Sequence, residues 1–338
     1  MKAAVLEKLR RPLSIRDSQV PELLDDEVLV ETKFCGICGT DLHIIEGRGY
    51  VPKLPHILGH EPSGIVREVG RSVKSPRPGD RVVPYLFMTC GSCWYCRSGR
   101  DSMCSQLRGI IGVTVNGGFA QYFKAPAGNL FPLPESVPLD LGALAADAVI
   151  TSVHAVYDRG NVGSSTSAAV IGAGGVGQVI IQLLKEIGLR TAAVSRSEAK
   201  LAVARGLGAA EAWKGGDPQM AALSRGFAPD GVDVVFDCVG SAESMMDAVT
   251  MVKRCGRIVI VGEEEVRFPA SSTEIAQREL EVVGSRNGSL SNMETALRLL
   301  GLGVVRPFIS DRFALEQVNE ALETVRRGAS GRVVLELG

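Results

Sequence analysis

The eight cysteines and four histidines of this 338-residue chain are unevenly placed. Four thiols, Cys90, Cys93, Cys96 and Cys104, fall on one short stretch with the spacing Cys-x2-Cys-x2-Cys-x7-Cys. Zinc takes four tetrahedral donors, and four thiolates leave no open coordination position, so this cluster reads as a closed, structural zinc site. A zinc ribbon for nucleic acid is the rival reading. Between the cysteines, however, only Arg97 and Arg100 are basic, and Asp101 partly offsets them. Upstream, Cys38-Gly-Thr-Asp-Leu-His43 and Gly59-His60-Glu61 gather thiolate, hydroxyl, carboxylate and imidazole groups. A lone cysteine is commonly a small buried apolar residue, but two of the four histidines lie in these two motifs. A third feature is Gly172-Ala-Gly174-Gly175-Val176-Gly177, which fits G-x-G-x-x-G.

The elements that must hold these residues differ between the two parts of the chain. Before about residue 148, short apolar runs (Val28–Lys33, Gly64–Val69, Asp80–Pro84, Phe119–Ala125) alternate with proline-rich turns, which predicts an irregular, mostly antiparallel β-domain. After it, strand and helix patterns alternate: Ser167–Ile171, Gln178–Ile187, Thr191–Val194, Glu198–Leu207, then Val232–Asp237, Arg257–Val261 and Leu280–Val283. Such βαβ alternation predicts a parallel sheet flanked by helices. The glycine loop follows an apolar run and opens a helical pattern, the context in which backbone N–H groups and a helix N-terminus receive a dinucleotide pyrophosphate. A helix over Leu315–Arg326 and a strand over Gly331–Leu337 close the chain.

Composition narrows the class. With 37 basic and 38 acidic residues, neither nucleic acid nor an anionic membrane is expected as partner. The run Ala3–Leu6 is too short for a signal peptide, and the apolar stretch Ala168–Leu184 is broken by glycines and by Gln178 and Gln182, so no membrane span is expected. A cytoplasmic protein is the expectation, since clustered thiols without a secretory signal favour metal over disulfides.

Cys35-Gly-Ile-Cys38-Gly-Thr-Asp-Leu-His43, Gly59-His-Glu-Pro-Ser-Gly64 followed by Gly70 and Val73, the four-cysteine loop and the βαβ half stand in an order that resembles the zinc-dependent medium-chain dehydrogenase/reductase family, the alcohol dehydrogenases. The resemblance spans nearly the whole chain. It implies an α/β fold with an irregular, β-rich GroES-like catalytic domain (1–148 and 288–338) and a Rossmann doubly wound parallel-sheet cofactor domain (149–287). It implies one catalytic and one structural zinc per chain. Cys38, not Cys35, is then the thiolate ligand of the catalytic zinc and His60 the second ligand. Glu61 lies beside the metal and binds it in some states, and Asp41 orients His60. The sequence departs from the family at the third ligand, where Cys or Glu is usual. Matching Ile150-Thr151 and Ala155 to the family places Asp147 there. Asp is a zinc donor, and a hard oxygen in place of a soft sulfur predicts a looser, more electrophilic metal. A helix-capping role for Asp147 is the alternative.

For the cofactor, Gly172, Gly174, Gly175 and Gly177 form the phosphate loop. Ser195 occupies the position, eighteen residues beyond the last glycine, where an acid would chelate the adenosine ribose of NAD. Without that carboxylate a 2′-phosphate is not repelled, and Arg196 offers it a charge-assisted fork. Lys200 matches a family position near the same ribose. NADP(H) is therefore preferred, with NAD(H) the alternative. The resemblance also places Val176 and Thr151 against the nicotinamide and Arg332 at the pyrophosphate.

The implied chemistry is alcohol oxidation or carbonyl reduction: zinc acidifies a bound alcohol, and Thr40 takes its proton on a path toward His43. A polyol or amino-alcohol dehydrogenase is the rival enzyme, and a non-catalytic zinc- or NADPH-binding sensor the rival from another class. Leu86, Phe87, Trp94 and Ile110 lean toward an apolar substrate pocket. The family forms dimers and tetramers, so a homodimer or homotetramer is expected.

Overall fold

The computed structural model describes residues 1–164 and 167–338, which separate into two compact units, Met1–Ile150 with Ser289–Gly338, and Thr151–Gly288.

The first unit is built on a seven-stranded sheet. Its main path runs Leu130–Pro132, Arg81–Pro84, Glu61–Val69, Glu27–Ile37, Arg332–Glu336, Ile309–Ala314, and Tyr122–Pro126 pairs with Glu27–Ile37. The β-branched residues that suggested strands supply its core, with Val28, Val30, Val66 and Val82 packed on Ile111 and Phe123. Two registers set up the chemistry. Gly36 pairs with Glu61 on one side and Val334 on the other, and Ile37 pairs with Val333. The C-terminal strand thus lies inside this sheet, 295 residues along the chain from the backbone carbonyl of Ile37 that Arg332 approaches.

The second unit is a six-stranded, all-parallel sheet in the order Glu211–Lys214, Arg190–Ser195, Ser167–Ile171, Val232–Asp237, Val252–Ile260, Glu281–Gly284. The direction of winding reverses beside Ser167–Ile171, the doubly wound arrangement in which ligands bind beyond the carboxyl ends of the strands. The near-continuous apolar runs follow from burial on both faces. Ala169, Val194, Val235 and Ile258 pack with Trp213 and Phe227, whose rings meet edge to face. The helix over Glu198–Leu207 forms with the expected bounds. The helical pattern at Gln178 begins earlier, at Gly175, and the C-terminal one divides into a 3-10 turn, Leu315–Gln317, and a helix, Val318–Arg326.

Candidate functional site

The four-cysteine loop is held by little regular structure: a single turn over Trp94–Arg97 and a 3-10 turn over Asp101–Met103. Its sulfurs nonetheless converge, with separations of 3.5 Å (Cys93–Cys96), 3.6 Å (Cys90–Cys104), 3.9 Å (Cys93–Cys104) and 4.0 Å (Cys90–Cys96). A disulfide needs about 2.05 Å, whereas four sulfurs at about 2.3 Å from a tetrahedral zinc stand about 3.8 Å apart. Backbone N–H groups point at the sulfurs. Cys93 N donates to Cys90 Sγ at 3.3 Å, and Cys90 N and Gln106 N each donate to Cys104 Sγ at 3.4 Å. Backbone donors from Cys96 and Ser105 bring the Cys93 thiol down to about 5, while burial and the adjoining Cys93 sulfur push Cys96 up to about 12. Thiols so arranged do not all ionise unless a cation joins them, so the donor set fits zinc.

The second set forms where three strands end together. Cys38 follows the strand Glu27–Ile37 and caps the helix Gly39–Glu46, and its backbone N–H donates to Asp41 Oδ2 at 2.9 Å. Glu61 opens the next strand, with His60 before it. A side chain at Gly36 would overlap the Glu61 carboxylate and stand 2.9 Å from Leu144 Cδ2, so glycine is needed for the close approach. Asp147 lies on a π-helical turn, Ala145–Val149, a widened geometry common at functional sites. Leu144 and Ala148 on either side of it pack on Val334 and pin that turn to the C-terminal strand.

Ligand atoms of Cys38, His60, Glu61 and Asp147 all lie within 4.8 Å of one another. His60 Nε2 is 3.9 Å from Glu61 Oε1 and 4.0 Å from Asp147 Oδ2, slightly wider than the edges of about 3.3–3.8 Å that zinc bond lengths give. Asp41 Oδ1 sits 3.3 Å from His60 Nδ1, close enough to orient the ring, although the angle is not that of a formed hydrogen bond. Burial opposes ionisation of the Cys38 thiol, but Arg332 and His60 outweigh it and bring the thiol below its ordinary value. Burial would lower His60, but Asp41 and Cys38 raise it well above its ordinary value. A metal binds the thiolate and the neutral imidazole, so its binding displaces the proton that this pair shares. This set fits zinc as well, with oxygen donors alongside one sulfur and one nitrogen.

Thr40 Oγ1 lies 3.8 Å from Cys38 Sγ, and His43 follows one turn later on the same helix, half-buried. Arg332, which the resemblance sets at the pyrophosphate, has its guanidinium 3.0 Å from Glu61 Oε1 and 3.1 Å from Asp147 Oδ2. Of the apolar residues expected at the pocket, Leu86, Phe87 and Ile110 are buried, and Trp94 is 65% exposed on the cysteine loop, edge to face with Tyr95.

In the parallel sheet, Gly172 takes φ +90° between the strand Ser167–Ile171 and the helix Gly175–Ile187. Gly174 is the N-cap and has no side chain to occupy the first N–H groups. Val176 lies in that first turn, and its carbonyl accepts a hydrogen bond from Ser152, beside the buried Thr151. Ser195 ends its strand. Arg196 is exposed, with only a loose 3.9 Å approach to the equally exposed Glu243. Lys200 follows on the helix Glu198–Leu207, its amine lowered first by burial and then by the charge of Arg196. Two cations thus adjoin a strand end that bears no carboxylate. Asp237, at the end of the next strand but one in sequence, was missed by sequence reasoning. Its Oδ1 accepts from Val239 N and Gly240 N, tying down the turn against which Gly172 packs.

Comparison with known proteins agrees over the whole length. Residues 24–135 match the family described as alcohol dehydrogenase GroES-like domain and residues 175–301 the family described as zinc-binding dehydrogenase. The chain is 36% identical to an alcohol dehydrogenase of Geobacillus stearothermophilus, covering 100% of this chain and 99% of that one. It is 31% identical to D-arabitol-phosphate dehydrogenase of Enterococcus avium, over 95% of this chain and 92% of the other. Among solved structures, a zinc-binding dehydrogenase from Sinorhizobium meliloti 1021 bound to NADP superimposes with TM-score 0.87 at 31% identity, covering 99% of this chain and 98% of that one. The chain belongs to the zinc-dependent medium-chain dehydrogenase/reductase family, as an alcohol or polyol dehydrogenase built from a GroES-like and a Rossmann-type domain.

Proposed function

We propose that this enzyme interconverts a primary or secondary alcohol and its aldehyde or ketone by hydride transfer with NADP(H). The convergence of Cys38, His60 and Asp147, with Glu61 beside them and Thr40 within 3.8 Å of the thiol sulfur, is the observation that carries this reading. A zinc ion held there supplies a Lewis acid for the substrate oxygen. The protein's own part is to orient and to move a proton. Asp41 aligns the His60 ring, Thr40 Oγ1 accepts the alcohol proton, and His43 marks the direction in which that proton leaves. The four-cysteine loop holds a second, structural zinc.

Preference for NADP(H) is supported by Ser195, which brings no negative charge to the ribose, and by Arg196 and Lys200 beside it. The open approach to the first N–H groups of the helix at Gly175 suits a pyrophosphate. On this reading residues 1–148 and 288–338 make the catalytic zinc domain and residues 149–287 bind the cofactor. No helix among the described residues is long and apolar enough to cross a membrane. A cytoplasmic homodimer or homotetramer is part of the same proposal. A polyol substrate is the second reading, favoured by the similarity to D-arabitol-phosphate dehydrogenase. The test is a panel of alcohols, polyols and carbonyls assayed with both cofactors, before and after added zinc. Turnover strengthened by zinc and faster with NADP(H) is expected. No turnover across the panel, with two zinc ions bound per chain, would make the protein a sensor.

A further inference from the structure

Among the described residues, Arg332 is the one buried arginine or lysine, and its position is fixed by rigid backbone. The strand Arg332–Glu336 is bonded on both sides, to Glu27–Ile37 and to Ile309–Ala314, and Arg332 N donates to Phe308 O at 2.8 Å. Its guanidinium approaches two oxygens that also face the other donors: it hydrogen-bonds Asp147 Oδ2 and lies in ion-pair range of Glu61 Oε1 without a formed hydrogen bond. Nη1 is 3.0 Å from Glu61 Oε1, itself 3.9 Å from His60 Nε2. Nη2 is 3.1 Å from Asp147 Oδ2, itself 4.0 Å from the same nitrogen. A carboxylate oxygen that shares its electron pairs with a guanidinium donates less to a metal, and partners at this remove set both ligand orientation and metal affinity.

We propose that Arg332 is a positioning residue that tunes the metal: it holds Glu61 back as a non-ligand and draws charge from Asp147, leaving the zinc more exchangeable and more electrophilic. This rests on the reading of Cys38, His60 and Asp147 as the ligand set. It also gives Arg332 a task apart from the cofactor. Two carboxylate oxygens and the Cys38 sulfur meet one fixed cation, so removing it releases its hold on them, whereas removing the Glu61 carboxylate leaves more of it on Asp147.

The experiment compares full-length, zinc-loaded wild type with Arg332→Met and Glu61→Gln. It follows zinc release to a chromophoric chelator and the visible spectrum after cobalt exchange, with Cys38→Ser as the baseline for cobalt on the four-cysteine loop. Arg332→Met is expected to release the more labile metal about tenfold more slowly, the scale of effect such partners have on metal affinity. Its cobalt absorption should weaken as Glu61 joins as a fifth donor. Glu61→Gln should release the metal faster than wild type. A purely structural arginine would give the reverse in Arg332→Met, and a rate equal to or faster than wild type overturns the proposal. If Arg332→Met does not fold, a Glu61→Gln rate equal to or slower than wild type overturns it. A Cys38→Ser spectrum identical to wild type would instead overturn the underlying ligand assignment.

Discussion

Two glycines of one loop, three residues apart, are expected to respond in opposite ways to the same substitution. Gly177 lies in the first turn of the helix Gly175–Ile187, with its Cα against the carbonyl of Gly172. A Cβ there would overlap Gly172 O and stand 3.1 Å from the carbon of that carbonyl and 3.3 Å from Val170 Cγ1. Because the first two atoms are backbone, the helix must retreat from the strand to regain ordinary contact. Overpacking of this kind costs about 1–3 kcal/mol, and a backbone obstacle puts it at the upper end. Alanine recovers about 1 kcal/mol of helix propensity, so the net loss is about 2 kcal/mol, or roughly 4–8 °C in Tm for a unit of this size. At Gly174 a Cβ would meet nothing within 4 Å, and φ −88° suits any residue. Gly174→Ala should therefore change Tm little, at the cost of a weaker N-cap. Its methyl group would stand where a pyrophosphate reaches the helix N-terminus and should weaken NADPH binding by about tenfold or more, at about 1.4 kcal/mol per factor of ten. Scanning calorimetry and NADPH titration of both variants make the comparison. Wild-type NADPH affinity in Gly174→Ala, or wild-type Tm in Gly177→Ala, would refute the reasoning.

Other outcomes follow from the same geometry. Ser195→Asp should turn preference toward NADH, and because Arg196 is largely exposed, the change in the ratio of kcat/KM values should be about tenfold, the low end for charged hydrogen bonds; an unchanged ratio counts against the 2′-phosphate reading. Lys200, lowered from the ordinary 10.5 by burial and by Arg196, contributes its charge below that lowered value and loses it as pH rises through it. KM for NADP should therefore climb on the alkaline side, and Lys200→Met should flatten that rise; identical profiles would exclude Lys200 from the site. Cys96→Ser should cost one zinc per chain by metal analysis and expose the segment from Cys90 to Cys104 to protease, whereas full zinc content would show that the sulfurs close without a metal. Thr40→Ala should depress turnover strongly with cofactor affinity near wild type; undiminished turnover removes Thr40 from the proton path.

The sequence by itself determined what depends on neighbours along the chain. The four thiols lie on one short loop, so their spacing alone brings the sulfurs within a metal's reach. The glycine loop joins a strand to the helix it begins, and both strand and helix carry their own periodicity. The family resemblance brought in Cys38, His60 and Asp147, and it placed Arg332 at the cofactor.

The tertiary structure decided what depends on register. Cys38, Glu61 and Arg332 meet because Gly36 pairs with Glu61 and Ile37 with Val333, and a slip of one residue would turn each side chain to the opposite face. No local pattern encodes such pairings. The contact between Arg332 and Asp147 joins residues 185 apart in the sequence, and it gives that arginine a carboxylate partner that the resemblance did not name. The edge strand Glu211–Lys214 escaped notice for a related reason. With only Trp213 fully buried among its four residues, it carries almost no alternation of its own and is held by its pairing with Arg190–Ser195.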